Sequence, residues 1–118
     1  MAYQKIEILL KKIYDKTMTG SIKWEETNKE GVYQAPLSGY SILISKRPSR
    51  KQADSLEFVL SINNFTGELI EEVGDEDFDF ENSYEYMSQL YEGARRKAMG
   101  TDQAIDKILS ALDDDIPF

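Results

Sequence analysis

Residues 56–62, Leu56-Glu57-Phe58-Val59-Leu60-Ser61-Ile62, decide the fold class of this chain. The large apolar residues at 56, 58, 60 and 62 alternate with Glu57, Val59 and Ser61. A period of two is typical of a β-strand that buries one face. The following residues, 63–67, end in glycine and predict a hairpin connection into a returning strand at 69–73.

The same alternation continues toward the N-terminus. Strands are expected at 22–25, 32–37 and 40–45, with turns between them. Pro36 cannot donate a backbone hydrogen bond, so we expect its strand to lie at a sheet edge or to end there. Because the connections between consecutive strands are short, the pattern indicates an antiparallel meander of about five strands with one buried face.

Helical periodicity flanks the expected sheet on both sides. Residues 3–18 place their apolar side chains on one stripe, and Gly20 is a plausible end for this first helix. A second helix is expected after Asn82, whose spacing from Glu85 resembles a capping box, and Gly100 should end it.

A last helix is expected over residues 104–112, where the apolar side chains share one face: Ile105, Ile108, Leu109 and Leu112. The order of elements predicts an α+β fold. It consists of an N-terminal helix, an antiparallel meander sheet of about five strands, and two C-terminal helices packed on one face.

Composition bounds the class of protein. The chain has 118 residues, of which 41% are hydrophobic and 31% charged, so we expect a single domain over residues 1–112 followed by a tail at 113–118. The net charge of −8 favours basic partners and disfavours broad binding to nucleic acid. No signal-peptide pattern or membrane-length apolar run is present, so a cytoplasmic protein without membrane association is expected.

No catalytic pattern stands out. The chain has no cysteine and no histidine, which removes thiolate chemistry and the commonest general base and metal ligand. Phosphate loops, dinucleotide fingerprints, zinc spacings and nucleophile elbows are also missing from the sequence. We therefore expect no enzyme, no cofactor and no metal.

The acidic segment 71–81 contains seven carboxylates. Asp75, Asp77 and Asp79 alternate as in a calcium loop, but Phe80 and Tyr86 occupy the positions where that loop needs glycine and a bidentate glutamate. A solvated linker that leads into a helix N-terminus, where acids are favoured, accounts for the segment better.

The basic segment 46–51 contains four cations: Lys46, Arg47, Arg50 and Lys51. It is expected to form a solvated hairpin tip. In the alternative interpretation these four residues bind a phosphate backbone, while Tyr40 or Trp24 stacks on bases.

The acidic tail, Asp113-Asp114-Asp115-Ile116-Pro117-Phe118, gives the most specific functional signal in the sequence. Its aspartates follow the C-terminal end of a helix, where the dipole favours cations, so they do not serve helix stability. Pro117 requires extended backbone, and Phe118 offers an apolar ring beside an α-carboxylate. Capture of a C-terminal carboxylate is an established mode of peptide recognition.

This tail resembles the acidic tip of bacterial single-stranded DNA-binding protein. The resemblance implies that Phe118 enters an apolar pocket while its carboxylate meets a basic residue. Pro117 and Ile116 would shape the approach, and Asp113, Asp114 and Asp115 would lie along a basic ridge. The expected partner is therefore the basic pocket of a genome-maintenance protein. The body is similar only to small bacterial and phage proteins with the same order of elements, a likeness that implies no activity.

Three hypotheses follow from these patterns. The favoured one is an adaptor or competitor that docks through residues 113–118 onto DNA replication, repair or recombination proteins. The second is a single-stranded nucleic-acid binder that uses the basic segment, although weak or absent binding is expected from the net charge. The third is an acidic DNA mimic built on residues 71–81. The sequence leaves a homodimer open.

Overall fold

The structure is a computed structural model that describes the backbone of residues 2–113. Three helices and one sheet form in the order that the sequence predicts, so the expected α+β fold is confirmed. The elements are α1 (Ala2–Met18), β1 (Glu25–Glu26), β2 (Tyr33–Leu37), β3 (Tyr40–Pro48), β4 (Leu56–Asn63), β5 (Leu69–Gly74), a 3₁₀ turn (Asp75–Asp77), α2 (Ser83–Ala98) and α3 (Thr101–Asp113).

The sheet is an antiparallel meander with the strand order β1-β2-β3-β4-β5. On the face covered by helices, Ile44, Leu60 and Val73 lie side by side on neighbouring strands, and all three are buried. Leu10 of α1 and Leu90 of α2 belong to the same buried cluster. Phe58 and Leu60 lie in the core as the alternation predicts, but Glu57 and Val59 are buried too and Leu56 is exposed, so residues 57–60 of β4 are covered on both faces and not on one.

Pro36 lies at a free stretch of the β2 edge, as predicted. The short strand β1 pairs only with Tyr33 and Gln34, so no described strand needs a hydrogen bond from position 36 on that side. Upstream of β1, Trp24 is buried and donates a hydrogen bond from its indole N–H to Thr17 Oγ1 of α1 at 2.9 Å. Ile22 and Trp24 therefore pack in the core and Lys23 is exposed, but residues 22–24 do not form the strand expected at 22–25.

Strand β3 is longer than predicted and takes in the first three residues of the basic segment. Lys46 pairs with Phe58 and Arg47 pairs with Glu57, because the ladder with β4 continues to the end of both strands. The prediction of a hairpin tip over 46–51 is wrong for this half of the segment, and only residues 49–51 lie beyond the strand.

Helix α2 begins without the capping box that Asn82 and Glu85 suggest. Asn82 has a left-handed backbone with φ of 68°, whereas a capping residue needs extended backbone, and its side chain caps no described backbone N–H. The first turn is instead tied to the 3₁₀ turn, because the Ser83 hydroxyl donates to the Asp75 carbonyl oxygen at 3.0 Å.

Helix α3 extends beyond its predicted range of 104–112 at both ends. Its main contact is with α2, and the Arg96 Nη2 to Asp102 Oδ1 pair at 2.6 Å joins the two helices near the turn between them. None of the described residues of α3 is buried, so of the two C-terminal helices only α2 contributes to the core. Among residues 2–113, no helix combines the length and apolar character needed to cross a bilayer.

Candidate functional site

The basic segment is bound to carboxylates of the chain itself. Arg50 makes a two-pronged contact with Glu57, from Nε to Oε1 at 3.1 Å and from Nη2 to Oε2 at 2.8 Å. Arg47 Nε donates to Glu57 Oε1 at 3.0 Å. The Glu57 side chain is 0% exposed, so two guanidinium groups cover one fully buried carboxylate. Paired, hydrogen-bonded geometry of this kind is what makes a buried charge tolerable.

Further contacts engage the remaining cationic groups of the segment. Arg47 Nη1 also reaches Glu72 Oε1 at 2.8 Å, and Arg50 Nη2 reaches Asp77 Oδ1 at 3.0 Å. The two lysines are held as well: Lys51 Nζ donates to the Glu76 carbonyl oxygen at 3.0 Å, and Lys46 Nζ lies 4.8 Å from the centre of the Tyr91 ring. A phosphate backbone would have to compete with these contacts for every cation.

The protonation behaviour of the cluster agrees with its geometry. Burial alone would raise the pKa of the Glu57 carboxyl, but hydrogen bonds from Arg50 and Arg47 outweigh it and hold the pKa below its ordinary value. The hydrogen bond to Glu57 likewise raises the pKa of Arg50. Glu57 therefore stays ionised and paired at any pH near neutrality.

Gly74 of β5 makes room for the buried carboxylate. A methyl group at this position would overlap the Glu57 carboxylate, with its carbon 2.5 Å from Glu57 Cδ. Gly74 also faces Val59 across the β4–β5 ladder. The close approach of strand β5 to Glu57 thus depends on the missing side chain.

The prediction that segment 71–81 is a solvated linker is wrong for part of the segment, because residues 71–74 belong to β5 and Asp75 is buried. Asp75 is 6% exposed and accepts a 2.7 Å hydrogen bond from the Phe58 backbone N–H, and Asp77 is held by Arg50 and by the Gly74 backbone N–H. Burial raises the pKa of the Asp75 carboxyl, and the negative charges of Glu57 and Glu76 add to that shift. Of the seven acids, only Glu72, Asp79 and Glu81 are exposed, and Glu72 is paired with Arg47.

A cleft of about 720 Å³ opens beside these acids. It is lined in part by Lys51, Asp75, Glu76, Ser83 and Tyr84. The Ser83 hydroxyl donates to a backbone carbonyl and not to a carboxylate, so the cleft presents no activated nucleophile at this position. Within the described part of the chain, no three carboxylates converge closely enough to hold a metal ion.

The aromatic residues assigned to base stacking are not next to the basic segment. Trp24 is 3% exposed and its ring faces the core, where a base cannot reach it. Tyr40 is about half exposed, but it begins β3 while Arg47 lies near the other end. Seven residues of strand separate the two by roughly 23 Å. The structure therefore places Arg47 and Arg50 together on Glu57, whereas Lys46 lies against Tyr91 of α2, and neither Trp24 nor Tyr40 lies beside them.

Helix α3 presents an exposed apolar stripe, formed by Ile105, Ile108, Leu109 and Leu112, whose exposures range from 43% to 64%. The acidic tail continues directly from this helix. Asp113 is the last residue of α3 and is exposed, whereas the residues predicted to bind a partner at 114–118 lie outside the described residues.

Sequence reasoning missed Glu57 as the residue that neutralises the basic segment. The signal was present in the register of the β3–β4 hairpin, in which Arg47 faces Glu57 directly. Reading it required knowing that β3 continues through Pro48.

Comparison with known proteins adds no relative. No protein-family model, curated protein or solved structure matches this chain.

Proposed function

We propose that this chain is a protein-interaction module whose acidic tail docks onto DNA replication, repair or recombination proteins that recognise the tip of single-stranded DNA-binding protein. The observation that carries the proposal is the sequence Asp-Asp-Asp-Ile-Pro-Phe at 113–118. Its first residue, Asp113, is exposed and ends a helix that has no buried residue among those described.

The chemistry of the tail defines the pocket that would receive it. The Phe118 ring needs an apolar cavity, and its burial contributes roughly 1.5–3 kcal/mol. A free α-carboxylate on Phe118 would pair with an arginine or lysine, and the aspartates would interact with further cations along the approach. Docking of this kind suits an adaptor that recruits the partner, or a competitor that displaces single-stranded DNA-binding protein from it.

The contacts of the basic segment favour this proposal over nucleic-acid binding. Arg47 and Arg50 both form salt bridges with Glu57, and the net charge of the chain is −8. Counterion release, the main source of affinity for single strands, needs cations that are available to phosphates. A DNA mimic is also less well supported, because Asp75 and Asp77 of the acidic segment are used inside the fold.

Binding to a purified bacterial exonuclease that recognises the tip tests the proposal. Removing Phe118 takes away the ring that the apolar cavity would receive, so the Kd should rise at least about tenfold, equivalent to 1.4 kcal/mol. Phe65 is the matched control, because it is 86% exposed on the β4–β5 hairpin, and Phe65→Ala should leave the Kd unchanged. Equal binding by the intact chain and the chain without Phe118 would refute the proposed function.

A further inference from the structure

The apolar stripe of α3 has the spacing of a helix that binds in a groove. Ile105, Ile108, Leu109 and Leu112 stand at positions i, i+3, i+4 and i+7, which places them on one side of the helix. Amphipathic helices that bind in apolar grooves use this spacing for their anchoring residues. In the described part of the chain, each of these four residues is at least 43% exposed.

Helix α3 gains little from the rest of the fold. It has 13 residues, none of them buried, and an isolated helix of this length is only marginally stable in water. The contact with α2 and the Arg96–Asp102 pair secure its first turns. Covering the stripe would therefore stabilise α3 as well as bury apolar surface.

A second copy of the chain is a poor occupant for the stripe. Two copies would bring together net charges of −8 each, and α3 itself contains three aspartates against the single cation Lys107. The four half-exposed side chains also offer only roughly 400 Å² of surface, about half of the 800 Å² that each partner buries in a stable interface. The stripe therefore needs a partner that is held at another point too.

We propose that the protein that holds the acidic tail also receives the stripe of α3 in an apolar groove beside its basic pocket. This inference rests on the proposed function. The six residues of the tail span at most about 20 Å when extended, so a pocket that holds Phe118 lies close to the end of α3. The partner would thus combine an apolar groove with flanking cations, which complement the acids of α3.

Two double variants of the full chain separate the stripe from the rest of the helix. Ile108→Ser with Leu112→Ser removes two anchoring residues, and Gln103→Ser with Ala111→Ser is the matched control away from the stripe. All four positions are exposed, so neither variant should disturb the core, and circular dichroism checks that helix content is retained. The probes are three tip-binding bacterial proteins: an exonuclease, a helicase and a recombination mediator.

For the probe that binds the intact chain most tightly, the stripe variant should raise the Kd at least tenfold, while the control variant changes it less than twofold. The free peptide Asp-Asp-Asp-Ile-Pro-Phe should bind the same probe at least tenfold more weakly than the intact chain. Hydrogen exchange should slow in residues 101–113 when the probe is added, because a covered α3 opens less often.

The outcomes distinguish this inference from the proposed function. If removing Phe118 weakens binding but the stripe variant and the hydrogen exchange of α3 do not respond, the tail docks alone and the groove proposal is wrong. If removing Phe118 does not change the Kd, the proposed function is wrong, and the proposal that the same partner receives the stripe of α3 is wrong too. If sedimentation shows that the intact chain is a dimer and the stripe variant a monomer, a second copy covers α3, which also overturns the proposal.

Discussion

Replacing Gly74 by alanine should strain the buried charge cluster without straining the backbone. Gly74 has an extended conformation, with φ of −101° and ψ of 166°, that alanine adopts readily. The added methyl would overlap Glu57, whose side chain is fully buried. The carboxylate is the end of a flexible side chain, but three N–H groups of Arg47 and Arg50 hold it in place.

The loss of stability expected for Gly74→Ala has two sources, the steric overlap itself and the weakening of the ion pairs of Glu57. Overpacking alone costs about 1–3 kcal/mol. Displacing one member of a buried ion pair costs about 3–5 kcal/mol, a figure reduced here because Arg50 is 51% exposed and can regain water. We therefore expect Gly74→Ala to lower the free energy of unfolding by about 2–4 kcal/mol, which corresponds to a fall in Tm of roughly 10 °C for a chain of this size.

Urea denaturation of Gly74→Ala, Glu57→Ala and the double variant tests this account. In the Glu57→Ala background the methyl at 74 has nothing to displace, so the double variant should be within about 0.5 kcal/mol of Glu57→Ala. The single Glu57→Ala variant still leaves Arg47 paired with Glu72 and Arg50 with Asp77. Additive losses from the two substitutions, or a Gly74→Ala loss below about 0.5 kcal/mol, would refute the reasoning.

Three further outcomes are expected. Asp75→Asn should stabilise the fold at pH 8, because the raised pKa of Asp75 means that its ionised form is disfavoured in the folded state. Asparagine can still accept the hydrogen bond from the Phe58 backbone N–H. The gain in free energy of unfolding, measured by urea denaturation, should shrink as the pH falls through the raised pKa of Asp75. Trp24→Phe should cost about 1–3 kcal/mol in the same assay, because the buried Thr17 hydroxyl loses its indole partner. A 20-nucleotide single strand should bind with a Kd weaker than about 1 μM at physiological salt, and a sub-micromolar Kd by fluorescence anisotropy would instead support the basic segment as a binding site.

Most of the sheet could be predicted from the sequence because apolar residues recur with a period of two along its strands. In residues 56–62 and 40–45 a large apolar side chain stands at every second position, and glycine at position 67 marks the hairpin with a positive φ of 88°. The strand expected at 22–25 forms only from Glu25 onward, because Trp24 packs against α1, with its indole N–H on Thr17, and does not join the ladder with β2. The local alternation indicates that Ile22 and Trp24 share a buried face, but it does not distinguish a strand from an irregular segment that packs on the preceding helix.

The burial of the charged residues at the candidate site could not be predicted from the sequence. Charged residues were expected to be solvated, yet Glu57 and Asp75 are buried because groups elsewhere in the chain compensate their charge or donate hydrogen bonds to them. The periodicity of α3 predicted its helix, but a stripe of apolar residues does not specify whether the core or a partner covers it. The fold places that stripe outside the core.

Competition for a tip-binding exonuclease tests the central claim most directly. The intact chain is titrated against a fluorescent peptide, Asp-Asp-Asp-Ile-Pro-Phe, bound to the enzyme, and anisotropy reports the displaced peptide. We expect displacement at micromolar concentrations, which corresponds to a binding free energy of about −8 kcal/mol. Replacing Asp114 and Asp115 by Asn should weaken displacement less than removing Phe118, and should leave it less sensitive to salt. Failure of the intact chain to displace the peptide at roughly 300 μM, near −5 kcal/mol, would contradict the docking function.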